Sequence, residues 1–555
     1  MPLPFRQQVQ LVGPLLDAER LAICVGSGVS RNKLPLLNTL IAIAFRNVPL
    51  NDESRGAFRA SSQLHAFHAR LTAIGIPSSD PCTLEEFRGF DHAVQADLCK
   101  ALTINYGDVF ASLEHVVGTK SALLDCIEFD RFAATEPDTA HFYIGYMILE
   151  GVFHRILTTN WDLLIESAVG ASTPSPVNSV LGRLVDVATW LDRNHGPYGL
   201  LAKVHGCATQ YPGHCDEIIL TTNELQLATA GGWRRDAVNE FLAGTVLFSG
   251  YSASDYTLMV PLQVLAQLRA QHHLDNSHFY IAQVDDLSPG GRSLIQDNDS
   301  QHIRLWANDT FCSLYFAYIY RRLQLAIATA VQQPRLERAF PAWDDTTWAN
   351  VVERLRVLLA DDLGIFLDTV IGEPNARIYG ERARDLPIGL SALRAIFLTG
   401  KVANRGKYHN LQFDPNKDLV LLILLAALVD LTRSTPGCCF SFESTYAGLT
   451  ILEDTGSKRK LCFLYGTYQT AAYHSISTYL NEIEDVDGHL PEFEIAIVPC
   501  SRYDVPDDDF PPLPILGKAL PGVSKAQRRF VDPAAVFQTN SYNALITTLR
   551  EELEL

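Results

Sequence analysis

Four short segments place polar side chains directly after an apolar run, the arrangement by which an open α/β sheet presents groups at the carboxyl ends of its strands. The first, Leu21-Ala22-Ile23-Cys24-Val25-Gly26-Ser27-Gly28-Val29-Ser30, runs into a glycine turn. Without side chains at Gly26 and Gly28, backbone N–H groups there can approach a phosphate; a plain tight turn is the competing reading. The segment departs from the dinucleotide pattern G-x-G-x-x-G, because Arg31 stands where a third glycine would be. In the second segment, Arg155 to Glu166, a strand ends in Thr158-Thr159-Asn160-Trp161-Asp162 and feeds a helix. Thr158 and Asp162 either face a ligand crevice or cap that helix. The third, Lys203-Val204-His205-Gly206, sets an imidazole at a strand end, either a base or a satisfied structural group. The fourth, Leu247 to Asp255, again runs from strand to glycine turn (Gly250) to the polar cluster Ser252, Ser254 and Asp255. Taken in one order, the four outweigh each separate alternative.

The elements that must carry these segments are legible in the apolar pattern. Short β-branched or apolar runs at Leu21–Val25, Arg155–Leu157, Leu201–Val204, Thr245–Ser249 and Phe279–Val284 alternate with helical spacing, which implies a parallel sheet covered by helices on both faces. From about Leu36 to Met147 helical spacing prevails with few strand signals, so a helical insertion is expected there. A hinge is expected around Gln332 to Trp343, which contains Pro334 and Pro341. The expected fold class is therefore α/β, a Rossmann-type parallel sheet with a helical insertion (residues 1–332), followed by a second α/β accessory domain (340–555). In that second part we expect a helix at Asp418–Thr432, strands at Cys438–Glu443, Gly448–Leu452 and Leu461–Leu464, a helix through Thr470–Ile483, a strand at Phe493–Val498, an extended Pro/Asp-rich stretch from Ser501 to Pro521, and a closing helix at Tyr542–Leu553.

Composition narrows the possible functions. A chain of 555 residues with 47% hydrophobic side chains can bury several cores, and 35 Gly with 28 Pro give no fibrous bias. The net charge of −18, from 63 acidic and 45 basic side chains, opposes binding to a phosphate backbone, so no direct nucleic-acid binding is expected. Eleven Cys, odd in number and without a CxxC pair, support neither a disulfide framework nor a zinc ribbon. The longest apolar run, Leu419–Val429, is about half of the roughly 20 residues a bilayer-spanning helix needs. With no secretory order in the opening residues, a cytoplasmic, membrane-free protein is expected.

The chain resembles the sirtuins over roughly its first 320 residues. The resemblance is carried by Gly26-Ser27-Gly28-Val29-Ser30, by Pro137 with His141, by Thr158-Thr159-Asn160-Trp161-Asp162, by Val204-His205-Gly206 and by Gly250-Tyr251-Ser252-Ala253-Ser254-Asp255. It departs from the protein-deacylating branch twice: the four-cysteine zinc ribbon is missing, and Lys33-Leu34-Pro35-Leu36-Leu37 replaces that branch's G-I-P-D-F-R. With this reduced pattern and an additional C-terminal domain, it is similar to sirtuin-like effectors of bacterial anti-phage defence, which consume NAD+. That resemblance implies an NAD+ hydrolase with NAD+ as substrate and no further cofactor. Cleaving the nicotinamide–ribose bond develops positive charge at the anomeric carbon while nicotinamide leaves neutral, so positioning and water activation are the tasks that remain. Asn160 is assigned to the ribose hydroxyls or the attacking water, His205 to the role of base, and Asp162 to orienting Asn160 and its loop. Gly26, Ser27, Gly28, Ser30 and Thr159 are expected around the diphosphate, with Gly250, Ser252 and Asp255 in the same crevice. Asp285 or Asp286 stands where a carboxylate could meet the adenosine ribose, although solvated loop carboxylates are the competing reading.

The alternatives belong to other classes. A non-catalytic scaffold that binds NAD+ or ADP-ribose would use the same crevice without turnover; protein deacylation is disfavoured by the missing ribbon. His205, Cys207, His214 and Cys215 have ligand-type side chains, but their spacing matches no common zinc pattern, and no metal site is expected. The second domain resembles restriction-endonuclease-like folds in element order and carries Glu443, Glu453 and Asp454, yet Leu461-Cys462-Phe463-Leu464 lacks the E-x-K that metal-dependent cleavage requires. Glu453-Asp454-Thr455-Gly456 is expected to form a hairpin turn, and the domain to act as a sensor or oligomerisation module. By the same resemblance a homo-oligomer is expected, with a HerA-type motor ATPase or a short Argonaute as a possible defence partner.

Overall fold

The computed structural model describes residues 3–357 apart from breaks at 19–20, 77–81, 173–176, 194–198, 333–339, much of 252–278 and much of 285–300, with a few single positions besides; beyond 357 it describes parts of 423–434, the strands between 440 and 530 given below, and parts of 536–553. The first half forms a seven-stranded sheet in the order β3-β4-β2-β1-β5-β6-β7. Its strands are β1 (Leu21–Val25), β2 (Arg155–Thr158), β3 (Leu181–Leu184), β4 (Gly199–Lys203), β5 (Thr245–Ser249), β6 (Phe279–Ala282) and β7 (Gln301–Ile303). Every pairing is parallel. The fold is thus the Rossmann-like α/β architecture expected.

β1 is apolar throughout and buried at all five positions, as a central parallel strand covered on both faces must be. Its side chains alternate between two cores. Ile23 and Val25 join a cluster with helix α1 (Phe5–Val12), α2 (Thr139–Leu149) and α3 (Ala307–Gln332), whereas Ala22 and Cys24 join Trp190, Trp233 and Phe241 on the opposite face. Because β2 and β5 flank β1 in register, with Val25 level with both Thr158 and Ser249, the chain reverses its winding direction at β1. A crevice opens at such a reversal, outside the carboxyl ends of the strands.

Between β1 and α2 the chain is helical, as expected, and builds a third core of its own. Phe45 and Phe58 meet edge-on at 5.0 Å, and Phe58 also contacts Phe67 and Phe87. This lobe is not detached. Leu164, Ala208, Ile218 and Leu220, all from the segments that follow the sheet strands, are buried in the same cluster.

Farther along, β8 (Phe440–Tyr446), β9 (Leu449–Asp454), β10 (Lys460–Leu464), β11 (Ile495–Ile497) and β12 (Arg529–Phe530) form a second sheet in the order β12-β11-β10-β9-β8. β8, β9 and β10 pair antiparallel, β11 and β12 parallel. Glu453 and Asp454 end β9, Glu453 level with Lys460, so the expected turn begins later than the sequence suggested. In the described part of the expected hinge, Phe340 and Trp343 are buried and stacked at 4.0 Å. They share the core of α1 and α3 with Leu355 of α4 (Asp345–Val357), with Leu424 and Leu431, and with Leu545 and Leu549 of α5 (Tyr542–Leu553). The expected helix at Thr470–Ile483 and the stretch from Ser501 to Pro521 lie outside the described residues.

Candidate functional site

A cleft open to solvent lies at the carboxyl ends of β1, β2, β4 and β5. One wall is polar and comes from the strand ends: Gly26, Ser27 and Ser30 after β1, Thr159, Asn160 and Asp162 after β2, His205 after β4, and Gly250 after β5. The facing wall is apolar and comes largely from the helical lobe, with Leu34, Pro35, Leu37, Leu40, Tyr106 and Phe132. Gly26 and Gly250, 224 positions apart, are brought together there by the parallel register of β1 and β5.

The glycine turns after β1 and β5 are packed backbone against backbone. A Cβ on Gly26 would stand 2.5 Å from the Gly250 carbonyl oxygen, one on Gly28 2.7 Å from Gly250 Cα, and one on Gly250, at φ +64°, 2.4 Å from the Val29 nitrogen. The N–H groups of Gly26, Gly28, Val29 and Ser30 are engaged within these turns. Gly26 donates to Ser249 O at 3.0 Å, Gly28 to Gly250 O at 2.9 Å, Val29 to Gly26 O and Ser30 to Ser27 O at 3.1 Å each. The absent side chains at Gly26 and Gly28 let the two loops close on each other. Ser27 is the one exposed residue of Gly26–Ser30.

Asn160 is held by its amide nitrogen. Nδ2 donates to the Gly26 carbonyl at 3.3 Å and to Ser30 Oγ at 3.2 Å. A carbonyl only accepts, so the contact with Gly26 fixes which end of the amide carries nitrogen. Oδ1 is left buried with no hydrogen-bond partner. Thr158 supports the loop from below, donating its hydroxyl to Val25 O at 2.8 Å and accepting from the Asn160 N–H at 3.0 Å.

Asp162 is linked to Asn160 through Ser30. Its Oδ2 accepts from the Ser30 hydroxyl at 2.9 Å, and its Oδ1 accepts from the Leu164 N–H at 3.1 Å at the start of helix α6 (Leu164–Ser172). It therefore caps that helix and steers Ser30, which steers Asn160. The hydroxyl hydrogen of Ser30 is thus committed to Asp162. Its Oγ also lies 3.1 Å from His141 Nε2.

His205 is buried, and its main chain is knitted to the Asn160 loop. The Trp161 indole N–H donates to the His205 carbonyl at 3.0 Å, Ala208 N–H donates to Trp161 O at 2.8 Å, and Val204 N–H to Thr158 O at 3.1 Å. Lys203, almost wholly buried, ties the same two loops. Its ammonium reaches Glu166 Oε1 at 3.0 Å and donates to the Asp162 carbonyl. Burial works against the Lys203 charge, but Glu166, with Cys207 and Asp162 adding to it, holds the ammonium above the ordinary lysine range.

Residues 154–308 match the SIR2-like domain. No curated protein matches the chain. The SIR2-like segment supports a sirtuin-like relationship and NAD-related chemistry in general. It contains Asn160, Asp162, His205 and Gly250, whereas Gly26–Ser30 and His141 precede it. The geometry nevertheless brings Ser30 and His141 to the SIR2-like residues. Among the described residues no helix is long and apolar enough to cross a membrane.

Of the remaining expected site residues, Thr159 lines the cleft and Gly28 packs against Gly250. Ser252, Asp255 and Asp285 fall outside the described residues. Asp286 is exposed and pairs with Arg304 at 3.1 Å. In the zinc-type quartet, Cys207 Sγ accepts from the Thr209 hydroxyl at 3.3 Å and Cys215 Sγ contacts Pro212 O at 3.2 Å. Sequence reasoning missed the apolar wall, whose residues look like ordinary core positions of the lobe. It also missed the Lys203–Glu166 tie, although a lysine ending an otherwise apolar strand was its signal.

Proposed function

We propose that the chain hydrolyses NAD+ at the nicotinamide–ribose bond and serves as the NAD-depleting effector of an anti-phage defence system. The observation that supports the hydrolase reading best is the Asn160 amide: it is clamped through its nitrogen and keeps a buried, unpaired oxygen beside a cleft that Asn160 and His205 both line. A buried acceptor without a partner costs stability, and a ribose hydroxyl or a water donating to it removes that cost.

In the reaction, the bond between the ribose anomeric carbon and the nicotinamide nitrogen breaks, and its electron pair stays on nicotinamide. Water supplies the oxygen that bonds to the anomeric carbon, His205 takes the proton that water loses, and ADP-ribose is released. Positive charge builds on the sugar during this step, so an oriented carbonyl dipole beside it favours the transition state over the bound substrate. The apolar wall of Leu34, Leu37, Leu40 and Phe132 keeps bulk water from the opposite side and strengthens these interactions. Ser27, exposed on the glycine turn, is placed for the diphosphate, with Ser252 and Asp255 expected to complete that end.

The defence role, the homo-oligomer and a motor ATPase or short Argonaute as partner rest on the family resemblance. Nicotinamide release from NAD+ by the purified chain tests the hydrolase reading, with Asn160→Ala and His205→Ala as controls. Tight NAD+ binding without turnover would instead favour the scaffold.

A further inference from the structure

His141 sits on α2, outside the SIR2-like segment and not on the wall of the cleft, yet it is buried against the residues that are. Its ring geometry determines its tautomer. Nδ1 faces the Asp138 backbone N–H at 3.1 Å, and an N–H only donates, so Nδ1 is an acceptor carrying no hydrogen. The neutral ring then holds its hydrogen on Nε2, 3.1 Å from Ser30 Oγ. That completes the hydroxyl's capacity: Ser30 gives its one hydrogen to Asp162 and accepts from both His141 Nε2 and Asn160 Nδ2. With every position filled, the hydroxyl cannot rotate away from Asp162, and the lone pair that faces Asn160 is fixed in direction.

We propose that His141 is a positioning residue: its Nε2–H locks the Ser30 hydroxyl, and through Ser30 it sets the orientation of the Asn160 amide at the cleft. This rests on the hydrolase reading and deepens it. The ring is kept neutral chiefly by burial, against which the Asp162 and Asp138 carboxylates pull while Lys33 adds to it. A protonated ring would put a second N–H against the Asp138 N–H and break the arrangement. The helix is itself firmly seated, because Tyr143 and Tyr146 pack on Tyr315 of α3 at 5.6 and 5.4 Å.

Because His141 does not line the cleft, its loss is expected in kcat and not in KM. His141→Ala lowers kcat by on the order of 10- to 100-fold, the scale of a small misplacement of a reacting group. In a Ser30→Ala background the same substitution has no further effect, since the group it acts through is gone. His141→Gln, whose amide can donate from nearly the same place, recovers most of the lost rate. An equal loss in both backgrounds, a change confined to KM, or an unchanged kcat would overturn the proposal. A second readout needs no turnover. Ring ¹⁵N spectra of the wild-type chain, with His141 assigned by its absence in His141→Gln, are expected to show the Nε2–H tautomer, its Nε2 resonance moving in Ser30→Ala. An Nδ1–H tautomer overturns the proposal even if the chain proves not to hydrolyse NAD+, whereas absent turnover with the expected tautomer counts against the hydrolase reading alone.

Discussion

Ser30 and Asp162, 132 positions apart in the chain, are joined by a hydrogen bond of 2.9 Å between hydroxyl and carboxylate. This contact couples the loop after β1 to the loop after β2, and Asn160 hangs from the coupled pair. Asp162→Ala removes the hydroxyl's acceptor and the cap on the Leu164 N–H together. It should therefore destabilise the chain by about 1–3 kcal/mol in urea denaturation, whereas Asp162→Asn, which keeps an acceptor for one of the two donors, should lose less.

The two crossing glycine turns make a paired prediction. Gly26→Ala forces a methyl to within 2.5 Å of the Gly250 carbonyl oxygen, a backbone atom that cannot swing aside. A loss on the order of 2 kcal/mol or more is expected in thermal unfolding. Gly56, inside the helix Asp52–Ser62, has nothing within 4 Å of a new Cβ, so Gly56→Ala should raise stability by roughly 0.5–1 kcal/mol. Similar effects at the two positions would contradict the packing described.

Lys203 and Glu166 form an almost fully covered ion pair at 3.0 Å. Lys203→Met strands the carboxylate and removes a donor from the Asp162 carbonyl, with an expected cost of about 3–5 kcal/mol. Adding Glu166→Leu should recover a large part of that loss. Denaturant midpoints of the single and double variants measure both steps.

Burial holds the His141 pKa below the ordinary histidine value, in spite of Asp162 and Asp138, which raise it. The unfolded chain therefore binds this proton more readily than the folded one. Stability contributed here is complete above the unfolded value near 6.5 and is lost as pH falls below it. His141→Gln should flatten the acid side of the curve of melting temperature against pH between about pH 5 and 6.5. A variant curve parallel to that of the wild type would show that another group dominates that range.

The central strands were legible because a parallel strand buried on both faces is largely apolar, as β1 is throughout and β5 is at Val246, Leu247 and Phe248. The edges were not. β3 reads Leu181-Gly182-Arg183-Leu184, with its two middle residues partly exposed, and β7 is only Gln301–Ile303. Both are edge strands, covered less completely, so their residues need not advertise a sheet. In the site, Asn160, Asp162 and His205 stood out because polar groups follow apolar runs. His141 appeared only as a motif residue, since nothing along a chain states that position 141 faces position 30. The packing of Gly26 and Gly28 against Gly250 was hidden for a related reason: a glycine turn is visible in sequence, but the loop that closes on it is not.

The most direct test follows NAD+ through the purified full-length chain, with nicotinamide and ADP-ribose separated and quantified over time. The account predicts that the two products form in equal amounts, and that Asn160→Ala and His205→Ala, still folded, each lower the rate by about 100-fold or more. A wild-type chain that binds NAD+ and returns it intact, or variants that turn over as fast as the wild type, would contradict it.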